Sequence, residues 1–491
     1  MKLVQIFWLW LVVPVSGFAQ SPVYKSFEVD SVAQPQGGPE RLHSFLLTNF
    51  RMPLAAGAAG LTGRVILSGI AEPNGQISHA VVVRGLRPDC DQEALRVFRL
   101  FNAWQPAIKA GQRVRQEVTF PLTVKASPPQ YEYFDGQRIT YLDEQFTPVL
   151  PGSSLAQYKE VARQDSLGLP TGNAIIYQRQ GKRWAEKLTL TMAREEQPYH
   201  SPDGLVINRI GLKAPNHQWQ GLVYDITETG RRVSTRTFLN GTQTGVDQFD
   251  LNEMLVESEQ DIAQSNSREP VQQTRWRWYS NGQQESIATI NRYNQSRAKA
   301  EKFESIWDAS GKQMVTEGNG RAVIRSRIVS KTRQQPPTDL IEEGYFVNGF
   351  RDGVWTGRYA DGSFFYEDRY DTGEDLGGKA VVGTRDTLRY AKIYQPPSFK
   401  GGMAALGDFL NNTLRYPAEA QRRGVQGRVV IGFVISEEGT VDDITVIRGL
   451  GYGTDEEAAR VVKWSSSRWT PGYQRGQPVR VKYTLPINFT L

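Results

Sequence analysis

The sequence predicts an α+β chain: two small domains, each with helices on a three-stranded antiparallel sheet, separated by a β-rich hairpin-repeat region. Three observations predict it. The stretch GRVILSGIAEPNGQISHAVVVRGL, from Gly63 to Leu86, returns as GRVVIGFVISEEGTVDDITVIRGL, from Gly427 to Leu450, with every aligned position 364 residues apart. Apolar residues in both copies alternate as in half-buried strands, and the flanking segments carry helical spacing. Between the copies, aromatic alternating runs are punctuated by Asn-Gly and Asp-Gly, the dipeptides that tight hairpin turns need.

Along the chain, the first twenty residues, MKLVQIFWLWLVVPVSGFAQ, place one lysine before an apolar run from Leu3 to Val13, then Pro14, and Gly17 and Ala19 ahead of Gln20. This reads as a cleavable export signal over 1–19. The run is short of the roughly 20 residues of a membrane span, so an uncleaved inner-membrane anchor is the alternative reading. No cysteine stands at the cleavage site to carry a lipid. The expected division is 1–19 signal, 20–126 first copy, 127–393 middle and 394–491 second copy, with the mature chain in the periplasm.

In the second copy, Met403, Leu406, Phe409, Leu410 and Leu414 recur at helical spacing, and Tyr416-Pro417 ends that helix because proline disfavours helix in the residue before it. A short second helix, AEAQRRG, stops at Gly424. RVVIGFVIS puts Val429, Ile431, Phe433 and Ile435 on one face, and the turn EEG leads to TVDDITVIRG as its antiparallel partner. DEEAARVVKWS opens with acids, as a helix N-terminus prefers, and VRVKYTLPINF alternates as the last strand. Helices on one face of a small sheet follow from that order, with Trp469 as a core anchor. The first copy matches through Gly37-Gly38, Phe45, Pro53, Asp91, Glu93, Ala94, Arg96 and Val97 and, one inserted residue later, through Trp104, Pro106, Gly111 and Pro121.

The second copy resembles the C-terminal domain of TonB energy transducers. The resemblance rests on Tyr416-Pro417-Ala418-Glu419-Ala420-Gln421, where the family has Tyr-Pro-Ala-x-Ala-Gln, on Gly427 and Val429, on the turn Gly439, and on Arg468-Trp469-x-Pro471. In the first copy Met52-Pro53-Leu54 replaces Tyr-Pro-Ala and the glutamine is absent. The resemblance implies a periplasmic protein that grips an extended segment of an outer-membrane TonB-dependent receptor, added as a strand to an exposed sheet edge, in support of energy-coupled transmembrane transport. Elementary chemistry agrees with that mode, since an edge strand offers unpaired N–H and C=O groups to any extended segment. The expected partner-binding residues are Val479, Arg480, Val481, Lys482, Tyr483, Thr484 and Leu485 on an edge that runs to Phe489, joined by the motif residues Tyr416, Pro417 and Gln421. Force-transmitting members of the family carry a membrane anchor and a long proline-rich linker, whereas the 26 prolines here are scattered.

Paired prolines mark joints at KASPPQYE, TRQQPPTD and YQPPSFKGG. The middle reads as short strands and glycine turns, with one helix expected over Leu251 to Gln264. Its last stretch resembles MORN-type hairpin repeats in Tyr345, Asn348-Gly349, Asp352-Gly353, Trp355, Tyr359, Asp361-Gly362, Tyr366 and Tyr370, which implies a spacer or docking surface.

Signals for catalysis are missing. His43, His79, His200 and His217 are dispersed, and Gly181-Lys182, Gly311-Lys312 and Gly378-Lys379 lack the Ser or Thr of a phosphate loop. No Gly-x-Ser-x-Gly elbow occurs, and Asp442-Asp443 and Glu437-Glu438 read as a solvated hairpin surface. Cys90, the one cysteine, reads as part of a polar turn, LRPDCDQE, with Thr454 as its counterpart. A net charge of +6, dispersed among acids, argues against nucleic acid. No enzyme, cofactor or metal is expected. Three readings of function remain: a bivalent bridge in which both copies bind, a single competent C-terminal copy, and an envelope or cell-wall scaffold without receptor coupling; homo-oligomerisation stays open.

Overall fold

Both copies enter their first helix through a Gly-Gly pair that L-side chains would strain. Gly37 and Gly38 take φ of 81° and 87°, Gly401 and Gly402 take 90° and 79°, and each pair turns an extended segment abruptly into a helix. The computed structural model describes residues 22–126, 131–165, 168–200, 205–262, 272–291, 301–328, 338–382 and 386–490. The expected signal at 1–19, half of the joint KASPPQYE and most of the joint TRQQPPTD lie outside them. The chain divides into two units: one takes in residues up to Ser265 with Gln273–Ser286 and Trp307–Lys312, the other Asn266–Gln272, Ile287–Ile306 and Gln313–Leu491. The described chain is predominantly β with six α-helices.

In the first unit the N-terminal copy runs β1 (Val23–Tyr24), β2 (Gln34–Pro35), α1 (Gly38–Asn49), α2 (Leu54–Ala58), β3 (Thr62–Ala71), β4 (Ile77–Arg84), α3 (Pro88–Leu100), β5 (Trp104–Gln105), β6 (Ala107–Lys109) and β7 (Gln112–Lys125). Its sheet is five-stranded, in the order β1-β7-β3-β4 with β6 also on β7, which corrects the expected three strands. The difference comes from two short segments that periodicity cannot flag: a two-residue strand, and a hairpin arm folded back on β7. Leu42, Phe45 and Leu46 of α1 and Val97 and Phe98 of α3 are buried over Val65 and Leu67 of β3 and Leu122 of β7. Cys90 lies not in a polar turn but buried in the first turn of α3, where burial pushes its thiol up to about 11. Asp91 there accepts from the Leu86 N–H at 2.8 Å, as Asp455 does from Leu450 at 2.8 Å in the other copy.

In the second unit the C-terminal copy runs β8 (Tyr394–Gln395), β9 (Ser398–Phe399), α4 (Gly402–Thr413), α5 (Ala418–Arg422), β10 (Gly427–Ile435), β11 (Val441–Arg448), α6 (Thr454–Trp464), β12 (Trp469–Thr470), β13 (Gly472–Gln474), β14 (Gln477–Val479) and β15 (Val481–Phe489). Its main sheet has the expected three strands, in the order β11-β10-β15. The joint YQPPSFKGG is no free connection, because β8 pairs with β13 and β9 with β12. Trp469 is buried among Phe399, Phe433 and Tyr483, with ring centroids 5.0 to 5.7 Å away, and its indole N–H donates to Ser465 Oγ at 3.0 Å.

Antiparallel hairpins fill the middle. Of the helix expected over Leu251 to Gln264, the described residues, 251–262, are not helical, and the last two lie outside the described residues: Leu255–Asp261 is a strand between Thr242–Phe249 and Gln272–Trp278. Alternation decides this, since Glu257 and Glu259 point to one face and pair with Arg277 at 2.7 Å and Arg275 at 2.6 Å across the ladder. The hairpins Thr338–Val347 with Phe350–Tyr359, and Phe350–Tyr359 with Phe364–Asp371, turn at Asn348-Gly349 and at Asp361-Gly362. Trp355 and Tyr366 are fully buried there, and Tyr366 lies so close over Gly357 that a Cβ would come within 2.0 Å of its ring.

A buried polar network ties the β13–β14 turn to these hairpins. The Arg475 guanidinium lies 3.5 Å from the centroid of the Tyr366 ring and bonds Asp368 Oδ2 at 2.8 Å. Asp368 also accepts from the Tyr390 hydroxyl at 2.5 Å, while Glu342 accepts from Tyr366 at 2.5 Å and from both terminal nitrogens of Arg351 at 2.8 and 2.9 Å. Burial alone would raise the Glu342 carboxyl; the Arg351 hydrogen bonds outweigh it, with Tyr366 and Arg475 adding to them, and hold it at about 2.

Two expectations follow. Trp469→Ala should cost about 3–5 kcal/mol, read as lost amide-exchange protection in β10 and β15; unchanged protection would refute the anchoring role. A carboxyl held below its unfolded value contributes stability that is present above pH about 4.3 and lost as pH falls towards the folded value. The urea midpoint of the full chain should therefore fall between pH 4.5 and about 2, and Glu342→Gln, weaker at neutral pH, should show a shallower fall; parallel profiles would refute the linkage.

Candidate functional site

β15 is an edge. Among the described residues it has one neighbour, β10, in unbroken register from Gly427↔Phe489 to Ile435↔Val481. Pro486, opposite Val430, has no N–H to give the ladder, so its nitrogen faces outward. Alternation then turns the N–H and C=O groups of Lys482, Thr484 and Asn488 outward too. The side chains of these residues are exposed, whereas Leu485, Ile487 and Phe489 are buried in the core.

The expected binding residues fall at different places on this edge. Tyr483 faces inward, its ring 5.0 Å from Trp469, and Leu485 is buried, and the same alternation turns their N–H and C=O groups to β10, so an added strand would meet neither their side chains nor their ladder groups. Val479 lies in β14 opposite Gly472. Arg480 reaches Asp442 at 3.3 Å and Asp443 at 3.6 Å, an exposed cluster of small energetic weight. Tyr416 packs edge-on against Phe489, with centroids 5.7 Å apart, and its hydroxyl donates to the Val425 carbonyl. Pro417 caps α5 and Gln421 is exposed on it. Tyr416 thus meets the end of β15 remote from Val479–Leu485.

The equivalent edge of the N-terminal copy is closed. β1 lies parallel on β7, with Val23 opposite Arg115 and Tyr24 opposite Gln116. Lys25 Nζ pairs with Glu117, the Ala33 N–H donates to Gln116 Oε1 at 2.7 Å, and Lys109 Nζ sits 3.9 Å from the Tyr24 ring centroid. By pairing, Glu117 opposite Ile70 corresponds to Lys482 opposite Val434. The segment matching β1 in the second copy, Thr387-Leu388, is instead zipped onto Val381 and Ala380 of the hairpin sheet. No sequence pattern announces this, because a strand of two residues has no period.

Among the described residues no group of three or more His, Cys, Asp or Glu is placed to hold a metal, and no helix is long and apolar enough to cross a membrane. The family described as Gram-negative bacterial TonB protein C-terminal matches residues 48–123 and 412–491. The two end copies are TonB-like. Neither match reaches the segment before α1 that closes the first edge. The solution structure of Helicobacter pylori TonB-CTD is similar at 26% identity, over 18% of this chain and 91% of that one, with a TM-score of 0.16. No curated protein matches.

Amide exchange should separate the two TonB-like edges. Protection is expected at Arg115 and Glu117 and fast exchange at Lys482 and Thr484, and deleting residues 22–25 should make the first pair exchange like the second. Equal exchange in the intact chain would refute the difference.

Proposed function

We propose that this is a TonB-like envelope protein of the periplasm whose C-terminal copy takes an extended segment of an outer-membrane TonB-dependent receptor as an added strand on β15, in support of energy-coupled transport. One observation carries the reading: of two edges with the same ancestry, β15 is open and β7 is closed by β1. That favours a single binding copy over a bridge. The outward N–H and C=O groups of Lys482, Thr484 and Asn488 supply ladder bonds that ask little of the partner's side chains. Pro486 withholds one donor, which sets where an added strand gains least. The MORN-like hairpins serve as the mount to which Arg475 fastens the binding copy.

The test is crosslinking of the full chain to outer-membrane receptors in isolated envelopes. Lys482→Pro removes an outward N–H and should abolish crosslinks, Lys482→Ala should leave them, and Glu117→Pro should not matter. Crosslinks that survive Lys482→Pro overturn the strand-addition reading. Retention on isolated cell wall without any receptor crosslink would favour the scaffold.

A further inference from the structure

The two TonB-like copies also differ on the face opposite the sheet. In the N-terminal copy α1 and α3 are covered by turns of the same unit. The turn before Leu255–Asp261 places Glu253 between two arginines: Arg51 Nη1 bonds its carboxylate at 3.0 Å, and Arg51 Nη2 and Arg96 Nη1 bond its carbonyl at 3.2 and 3.3 Å. Asn49 Oδ1 accepts the Leu255 N–H at 2.8 Å, and Met254 is buried in the domain's own core. A second turn, Asn281-Gly282, gives its Asn281 carbonyl to the Asn102 N–H at 3.1 Å, and Gly282 sits against Phe45 and Phe101.

The C-terminal copy repeats the socket without the turns. Arg51, Arg96, Asn49, Phe45 and Leu100 become Arg415, Arg460, Thr413, Phe409 and Trp464, each 364 residues on. The internal bonds are repeated too: the Arg51 N–H meets Glu93 at 2.8 Å and the Arg415 N–H meets Glu457 at 2.6 Å, while Arg96 and Arg460 reach the carbonyls of residues 49 and 413, both at 2.8 Å. No turn meets these groups among the described residues of the second copy, where Arg460 keeps only its bonds within the copy, to Glu457 and the Thr413 carbonyl. Arg415 is exposed, and its guanidinium makes no salt bridge among the described residues. Leu100 is tucked against the core, whereas Trp464 is 61% exposed with Arg460 stacked 4.8 Å from its ring. A groove of about 450 Å³ runs here between Phe399, Phe409, Thr413, Trp464 and Arg468.

We infer that the α4–α6 face of the C-terminal copy is a second docking surface, separate from β15, and that it takes a β-hairpin turn of a partner protein bearing a carboxylate beside a large apolar residue. The chain's own Glu253-Met254 turn shows the chemistry: a carboxylate and a carbonyl between two guanidiniums, an apolar side chain against the helices, and a backbone N–H to residue 49 or 413. The arginine pair recognises the acid, and the exposed indole stands where the first copy has the half-buried Leu100. This inference stands independently of strand addition on β15.

The probe is a cyclised hairpin peptide of residues 248–257, QFDLNEMLVE, titrated onto the full chain, with Trp464→Phe identifying the share of the fluorescence change that comes from the groove. Saturable binding is expected, weakened about tenfold or more by Arg415→Glu, an exposed position whose change should leave the fold intact. A peptide carrying Glu253→Lys should bind Arg415→Glu better than it binds the parent chain. Lys482→Pro should leave peptide binding unchanged. Absence of saturable binding, or binding indifferent to Arg415→Glu, overturns the inference; the second result would show the peptide displacing the turn of the first copy. Concentration-dependent dimerisation of the parent chain that Arg415→Glu abolishes would overturn the choice of occupant in favour of a second copy.

Discussion

An unpaired strand edge is the constraint around which this chain is arranged. Backbone N–H and C=O groups on an open edge pair with whatever extended segment arrives, so a folded chain must close the edge, guard it or use it. The duplicated sheet meets this constraint in two ways. In the first copy Val23–Tyr24 supplies the missing strand, and Lys25, Ala33 and Lys109 clamp the segment with side-chain contacts. In the second copy the matching residues are drawn into the hairpin sheet, and β15 carries exposed Lys482 and a proline on its outer side. Charge and proline are guards against indiscriminate pairing, and both leave other ladder groups on that edge unpaired.

Each copy is also fastened to its own unit by a different surface, and the surfaces are complementary. The first is held by its helices: Arg51 and Arg96 grip Glu253, and Gln283 Nε2 donates to the Gln36 carbonyl at 2.6 Å. The second is held by the tip of its β13–β14 hairpin, through Arg475. Residue 110 stands at the corresponding tip of the first copy; it is an alanine whose N–H donates to Asp30 at 2.7 Å, which keeps that hairpin within its own domain. Fastening by the tip leaves both the edge and the helical face of the second copy exposed. Fastening by the helices, with β1 in place, leaves neither.

Much of this architecture was legible in the residues. The constant spacing of the two copies, the alternation of Val429, Ile431, Phe433 and Ile435, and the Asn-Gly and Asp-Gly turns each have a local physical cause, so they show in a linear string. The edge strand was legible for the same reason, because VRVKYTLPINF alternates and ends its sheet. What stayed hidden depends on partners distant in sequence. Leu251, Met254, Leu255 and Ile262 look like a helical stripe until Arg275 and Arg277 are seen opposite Glu259 and Glu257. β1 is too short for any period, and the carboxylates around Arg475 come from strands more than a hundred residues upstream of it.

The Arg475 network bears on why the second copy is posed so definitely. Buried ion pairs add little net stability, because desolvating the charges offsets most of their attraction, yet removing one partner leaves a buried charge uncompensated. Arg475, Asp368, Glu342 and Arg351 form such a set, with three tyrosines closing the remaining hydrogen-bonding valences and cation–π faces. A hydrophobic contact at the same place would tolerate sliding of the hairpin tip, since apolar surfaces have no direction. A guanidinium held over the Tyr366 ring with two bonds to one carboxylate oxygen is far more restricted in orientation. The network therefore sets direction more than it adds stability, and direction is what an edge strand needs if an incoming segment is to meet it along its whole length.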